Sequence, residues 1–286
     1  MTGGLSARLS ERLARELGDI RSIRPVGGGC IGHAQRVTLA DGRRVFVKLY
    51  DDAGEMVEAE AHGLRWLRAA NAIRVPEVLA VGDAEAPFLA LEWLEPAART
   101  DDFDERLGRE LAALHTAGAP GFGLERDNFI GSLEQHNRAH ADWPSFFATE
   151  RLEPMLERAA PLLGAQLLRE FERLRTRLPE LCGPSEPPAR LHGDLWSGNL
   201  VVDDRGAPAL VDPAVYGGHR EIDLAMMKLF GGFGARVFDA YHEAHPLAPG
   251  WRDRVPLYQL YPLLVHVVLF GRGYVGQLAQ ALHRYV

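Results

Sequence analysis

Cysteine is nearly absent from this chain. Two residues, Cys30 and Cys182, occur in 286. That is too few for a disulfide framework, so a reducing, cytoplasmic setting is expected. Long apolar runs are missing as well. The N-terminal stretch lacks a signal-peptide pattern. The longest apolar stretch near the C-terminus, residues 263–270, is interrupted by His266 and falls far short of the roughly 20 residues that span a bilayer, so no membrane partner is expected. Positive charge is not in excess: Lys and Arg number 32 against 39 Asp and Glu, for a net charge of −7. This balance argues against a nucleic-acid partner. Internal repeats and low-complexity segments are also lacking. What remains is an ordinary globular composition, 47% hydrophobic and 25% charged. The length suffices for two lobes and a sizeable core.

The most informative stretch is His192-Gly193-Asp194-Leu195-Trp196-Ser197-Gly198-Asn199. Asn199 follows Asp194 by five positions, and Asp212 follows Asn199 by thirteen. Apolar triplets flank the two groups, and the turn-forming 203–206 segment lies between them, which predicts a hairpin with acidic residues at its mouth. This order suits phosphoryl transfer. Asp194 would accept the proton of an acceptor hydroxyl, while Asn199 and Asp212 would hold magnesium on ATP through hard oxygen ligands. The Arg of the protein-kinase H-R-D motif is replaced by Gly193, and Asp-Pro-Ala stands where Asp-Phe-Gly would. Both departures point toward small-molecule kinases. Asp, Gly and Asn favour turns in any case, so the loop gains weight only from a nucleotide-binding half upstream.

Such a half can be traced. Leu5, Leu9, Leu13 and Leu17 predict an amphipathic helix ending at Gly18. Strands are predicted over 20–26, 33–39 and 45–50, with a glycine-rich turn at 27–32. Backbone N–H groups at Gly28, Gly29, Cys30 and Ile31 would approach phosphate there. Lys48 is the one polar residue of an apolar strand, and a helix over 54–70 offers a carboxylate partner. Glu60 is preferred because Leu64 and Leu67 follow it at helical spacing; Glu58 is the alternative. A flexible hairpin and a water-facing edge lysine are the bland readings of the same residues. Two more strands, 75–81 and 88–94, lead into a hinge at 91–95. The chain beyond is mainly helical: a helix capped by Thr100, others at 142–156, 166–178, 222–230 and 235–244, and a last pattern from 255 that Pro262 should kink or restart. The expected class is α+β, a two-lobed protein-kinase-like fold. Residues 1–92 would form the nucleotide-binding lobe and 93–286 the catalytic and acceptor-binding lobe.

Four segments carry a resemblance: Phe122-Gly123-Leu124-Glu125-Arg126-Asp127-Asn128-Phe129-Ile130-Gly131, the 192–199 loop, Asp212-Pro213-Ala214-Val215-Tyr216-Gly217, and His219-Arg220-Glu221-Ile222-Asp223-Leu224-Ala225-Met226. With them the chain resembles the fructosamine kinase (ketosamine-3-kinase) family, relatives of aminoglycoside phosphotransferases and choline kinases. The resemblance implies ATP- and magnesium-dependent phosphorylation of a sugar hydroxyl on a ketosamine, free or on a glycated protein amine, followed by elimination that repairs the amine. It implies Asp194 as catalytic base, Asn199 and Asp212 as metal ligands, Lys48 with Glu60 as the phosphate clamp, and Glu92 and Leu94 at the adenine hinge. Asp223 would brace the catalytic loop. Trp196 would either stack on the acceptor or fill the core, and His266 reads as a core histidine. Asn128 and Phe129 receive no chemistry. Cys30, in a positively charged turn, would be open to oxidation, with a disulfide-linked homodimer as one outcome. Two other readings stand beside this one. An aminoglycoside- or choline-type kinase would want clustered carboxylates late in the chain, yet no Asp or Glu follows Val255. A non-catalytic kinase-like regulatory module would not need all of Lys48, Asp194, Asn199 and Asp212.

Overall fold

The computed structural model describes residues 7–27, 33–50 and 54–286. The glycine-turn positions Gly28, Gly29, Cys30 and Ile31 lie outside the described residues. Helix α1 (Ala7–Leu17) stops at Gly18, whose φ of +106° suits a residue without Cβ. Strands β1 (Ile20–Pro25), β2 (His33–Leu39), β3 (Arg44–Leu49), β4 (Val78–Val81) and β5 (Phe88–Glu92) form one antiparallel sheet in the order β1-β2-β3-β5-β4. Helix α2 (Gly54–Arg68) joins β3 to β4.

Side-chain alternation explains how this sheet is covered. Val45 and Val47 of β3, with Phe88 and Ala90 of β5, pack against Leu13 and Leu17 of α1. The intervening Leu89 and Leu91 turn to the opposite face, where Val57, Ala61, Leu64 and Leu67 of α2 meet them. Lys48 shares this second face with Phe46 and Tyr50. The second core continues past the sheet into Leu107, Leu111, Leu195, Leu210 and Val215, so α2 is packed against the helical part as well.

The helical part opens with α3 (Phe103–Thr116). Thr100 does not cap it. The N-cap position is Asp102, and the Thr100 hydroxyl donates instead to the Gly206 carbonyl at 3.2 Å. A short hairpin follows, β6 (Asn128–Ile130) and β7 (Leu133–Gln135). Helix α4 (Trp143–Phe146) is capped by Asp142 and runs through a π-helical turn, Phe147–Leu152, into α5 (Glu153–Ala159). Then come α6 (Ala165–Leu181), β8 (Ala189–Leu191), β9 (Leu200–Val202), β10 (Pro208–Leu210) and β11 (Tyr216–Gly218), with β8 paired to β11 and β9 to β10. Helices α7 (Glu221–Leu229), α8 (Ala235–Ala244), α9 (Trp251–Phe270) and α10 (Val275–Leu282) complete the chain. Pro262 neither ends nor restarts a helix: α9 begins at Trp251 and carries Pro262 inside it. Among the described residues no helix is long and apolar enough to cross a membrane.

One glycine lets α3 and α8 approach closely. A Cβ on Gly108 of α3 would lie 2.2 Å from the Val237 carbonyl oxygen and 2.8 Å from the Tyr241 amide nitrogen, both backbone atoms of α8. In an open helix Gly→Ala gains about 1 kcal/mol. Here Gly108→Ala is expected to destabilise by about 1–3 kcal/mol, because whole helices must separate. A denaturant midpoint equal to or above wild type would contradict this packing.

Candidate active site

The catalytic-loop sequence lies between β8 and a 3₁₀ turn, Ser197–Asn199. Gly193 adopts φ +84°, and a Cβ there would sit 2.0 Å from the Ala214 carbonyl oxygen, so only glycine fits. Asp223 of α7 holds the loop from behind. It accepts the His192 amide at 2.8 Å, the Gly193 amide at 2.9 Å and His115 Nε2 at 3.2 Å. Burial works against its charge, but these donors more than offset it and keep its carboxyl below the usual range. His192 is fully buried. Its Nε2–H donates to the Val211 carbonyl at 3.0 Å, and its Nδ1 accepts the Asp194 amide at 3.3 Å.

This scaffold brings Asp194, Asn199 and Asp212 together. Asn199 Nδ2 donates to the Asp194 carbonyl at 2.8 Å, to Asp194 Oδ2 at 3.1 Å and to the Asp212 carbonyl at 3.3 Å. All three bonds use the amide nitrogen, which leaves Asn199 Oδ1 without a partner among the described residues. Burial lifts the Asp194 carboxyl to about 7; the Asn199 N–H opposes the shift, and Asp212 and Asp223 add to it. Asp212 sits at φ +51°, a left-handed conformation that Asp tolerates better than most residues. No group of three or more His, Cys, Asp or Glu side chains forms a metal cluster among the described residues. The donor set here is the Asn199 amide oxygen and the Asp212 carboxylate, two hard oxygens that leave further positions to water and phosphate, as magnesium prefers.

Lys48 reaches this set from the sheet. Its Nζ lies 2.7 Å from Glu60 Oε2 and 3.1 Å from Asp212 Oδ1. Burial disfavours its ammonium, but Glu60 and Asp212 raise its pKa above the ordinary lysine value. Glu60 is thus the partner on α2, and Glu58 is exposed. Tyr50, two residues past Lys48 on the same face of the sheet, donates its hydroxyl to Glu60. Gly63 of α2 packs on the side chains just past Asp212: a Cβ there would be 3.2 Å from Pro213 Cγ.

Lys48, Tyr50, Glu60, Asp194, Asn199 and Asp212 line one cleft of about 1380 Å³, above the roughly 300–1,000 Å³ of a single-ligand pocket and large enough for two substrates. Trp196 and Leu94 line it too. Glu92 lies on its wall, but its carboxylate is engaged. Oε1 accepts Arg74 Nη2 at 2.6 Å and Oε2 accepts the Glu77 amide at 3.2 Å. Arg74 also reaches Asp203 at 3.3 Å, so the Glu92 side chain ties the sheet to the β9–β10 hairpin, and the Glu92 backbone amide donates to the Glu77 carbonyl at 2.8 Å. His266, expected in the core, lines the cleft instead.

The 122–131 signature, silent in sequence, now has a structural role. Asn128 Nδ2 donates to the Val215 carbonyl at 2.8 Å, and Gln135 Nε2 donates to the Ala214 carbonyl at 3.1 Å and to Asn128 Oδ1 at 2.8 Å. Asn137 Nδ2 also donates to Asn128 Oδ1, at 2.8 Å, and Arg151 donates to Asn137 Oδ1 at 2.6 Å. Arg151 projects from the π-helical turn, fully buried, with its guanidinium 3.8 Å from the Tyr216 ring centroid. A buried polar brace therefore grips the backbone just past Asp212, while Phe129 faces the cleft. Asn128→Ala would strand a carbonyl and two amide donors. We expect a loss of about 1–3 kcal/mol in stability together with a weaker response to magnesium. A variant with wild-type melting and wild-type magnesium dependence would show that the brace is idle.

The fold around this cleft is the protein-kinase-like one. The choline kinase of Streptococcus pneumoniae superposes over 97% of this chain and 98% of its own with a TM-score of 0.66 at 14% identity, a likeness of fold alone. The crystal structure described as a fructosamine-3-kinase from Thermobifida fusca covers 99% of each chain with a TM-score of 0.91 and 42% identity. The "probable ketoamine kinase" of Enterococcus faecium is 40% identical over 266 residues, 91% of this chain and 94% of that protein. The chloroplastic protein-ribulosamine 3-kinase of Oryza sativa subsp. japonica is 38% identical over 262 residues, 89% of this chain and 76% of that protein. A family model described as fructosamine kinase matches residues 4–286. The chain belongs to the fructosamine kinase family.

Proposed function

We propose that this chain transfers the γ-phosphoryl group of ATP to a sugar hydroxyl of a ketosamine, either a free small molecule or a glycated protein amine, in the cytoplasm. The observation that carries the proposal is the meeting of Asp194, Asn199, Asp212 and the Lys48–Glu60 pair in one cleft, in a chain of this family. Residues 1–92 act as the nucleotide lobe and residues 93–286 as the catalytic and acceptor lobe. In this reading Asp194 takes the proton of the acceptor hydroxyl as its oxygen bonds to phosphorus and the bond to the β-phosphate oxygen breaks. Its carboxyl, near pH 7, suits general-base work. Lys48, oriented by Glu60 and Tyr50, pairs with the phosphates. Asn199 Oδ1 and Asp212 would hold magnesium, which supplies charge neutralisation on the phosphate oxygens. The phosphorylated adduct then eliminates and frees the amine.

The test is magnesium-dependent ATP consumption with ribulosamine, fructosamine, aminoglycoside and choline acceptors. Turnover with the ketosamines and not with the other two is expected. Turnover with an aminoglycoside or choline alone would replace the reading, and no turnover with any acceptor would favour a regulatory module.

A further inference from the structure

One wall of the cleft is unlike the rest. Phe230, at the end of α7, His266 and Phe270 of α9, and Tyr274 just beyond it form a continuous group of rings. His266 stands at the centre, with ring centroids 4.7 Å from Phe230, 5.3 Å from Phe270 and 5.0 Å from Tyr274. Its Nδ1–H donates to the Pro262 carbonyl at 2.7 Å, which fixes the ring's orientation. Burial lowers its pKa, so the ring is neutral near pH 7 and does not repel a cation.

The wall is open to solvent. Phe270 is 60% exposed and Phe230 39%, the two aromatic members among the exposed large hydrophobic residues. Exposed aromatic surface continuous with a cleft marks a binding surface more often than a scattered single residue does. It also stands on the catalytic-loop side. The chain after Phe230 packs on the loop so closely that a Cβ on Gly232 would lie 2.6 Å from Ser197 Cβ. Among the described residues the acidic groups lining the cleft are Glu60, Glu92, Asp194 and Asp212, and the chain after Val255 carries no Asp or Glu. An acceptor reaching outward from Asp194 along this wall meets ring faces and, among the described residues, no carboxylate of the cleft lining.

Ring faces without a carboxylate attract an alkylammonium group, through cation–π contact and apolar burial together. In a ketosamine the amine is secondary and protonated at neutral pH, and its substituent points away from the sugar. We propose that the Phe230–His266–Phe270–Tyr274 wall is the subsite for the amine substituent of the acceptor, and that it selects an extended alkyl chain next to the ammonium, as on a glycated lysine side chain, over a small substituent. This rests on the ketosamine reading above.

The experiment compares two ketosamines of one sugar, built on methylamine and on hexylamine, with wild type, Phe270→Ala and Phe230→Ala. A second arm follows N-methylhexylammonium alone by ligand-observed NMR, which needs no turnover. The expected result is a KM for the hexylamine adduct raised about 2- to 30-fold in the variants, with the methylamine adduct and ATP changed little, and ammonium binding lost in Phe270→Ala. Equal changes for both adducts, no change for either, or an ammonium signal that survives Phe270→Ala would overturn the subsite. If neither adduct is phosphorylated, the ketosamine reading falls. The NMR arm then still decides the subsite: binding lost in Phe270→Ala supports it, and no binding to wild type refutes it.

Discussion

Asp194→Asn is expected to lose about 10²- to 10⁴-fold in turnover while still binding ATP and magnesium. The amide cannot accept the proton of the acceptor hydroxyl, yet it fills the same space. The loop around it should stay in place, because its shape is set by Gly193 against Ala214 and by Asp223 beneath two backbone amides, and an amide oxygen at 194 can still accept the Asn199 Nδ2 bond. Asp212→Ala should act differently and weaken nucleotide–metal binding, since it removes a proposed magnesium ligand and one of the two carboxylates on Lys48. Near-wild-type turnover in Asp194→Asn would remove it from the chemistry, and lost ATP binding would make it a structural residue.

Lys48→Ala and Glu60→Ala should each lower kcat/KM by about 10²- to 10³-fold, the usual scale for losing one preorganised donor at a site of charge development. The double variant should be little worse than the poorer single. Glu60 acts through Lys48, and residues of one network are not additive. Tyr50→Phe should give a smaller loss of the same kind, because it removes the second donor to Glu60. Strict additivity in the Lys48–Glu60 cycle would mean that the 2.7 Å contact does not matter to the reaction.

Much of this was legible in the sequence because the signals are local. Alternation on β3 puts Lys48 on the same face as Tyr50, and helical spacing puts Glu60 on the side of α2 that carries Leu64 and Leu67. The five-residue step from Asp194 to Asn199 is a single 3₁₀ turn and its flank. What escaped depends on contacts between distant segments. Asn128 and Gln135 act on Ala214 and Val215, nearly eighty residues or more along the chain, and no periodicity reports such a pairing. The Glu92 carboxylate received no role in the sequence, and its bonds to Arg74 and the Glu77 amide join residues fifteen or more positions apart. His266 reads as core from its apolar neighbours, but it sits on the face of α9 that closes the cleft. Thr100 resembles an N-cap, and its hydroxyl finds Gly206 instead. The glycine turn, with Cys30 and its expected redox sensitivity, lies outside the described residues.

The most direct test of the central assignment is mass spectrometry of a ribulosamine-bearing protein incubated with this chain, ATP and magnesium. The expected result is a phosphorylated adduct that appears first and then gives way to free lysine, with no adduct when Asp194→Asn replaces wild type. ATP turned over with the ribulosamine unchanged, or phosphate placed on a protein side chain instead of the sugar, would contradict it.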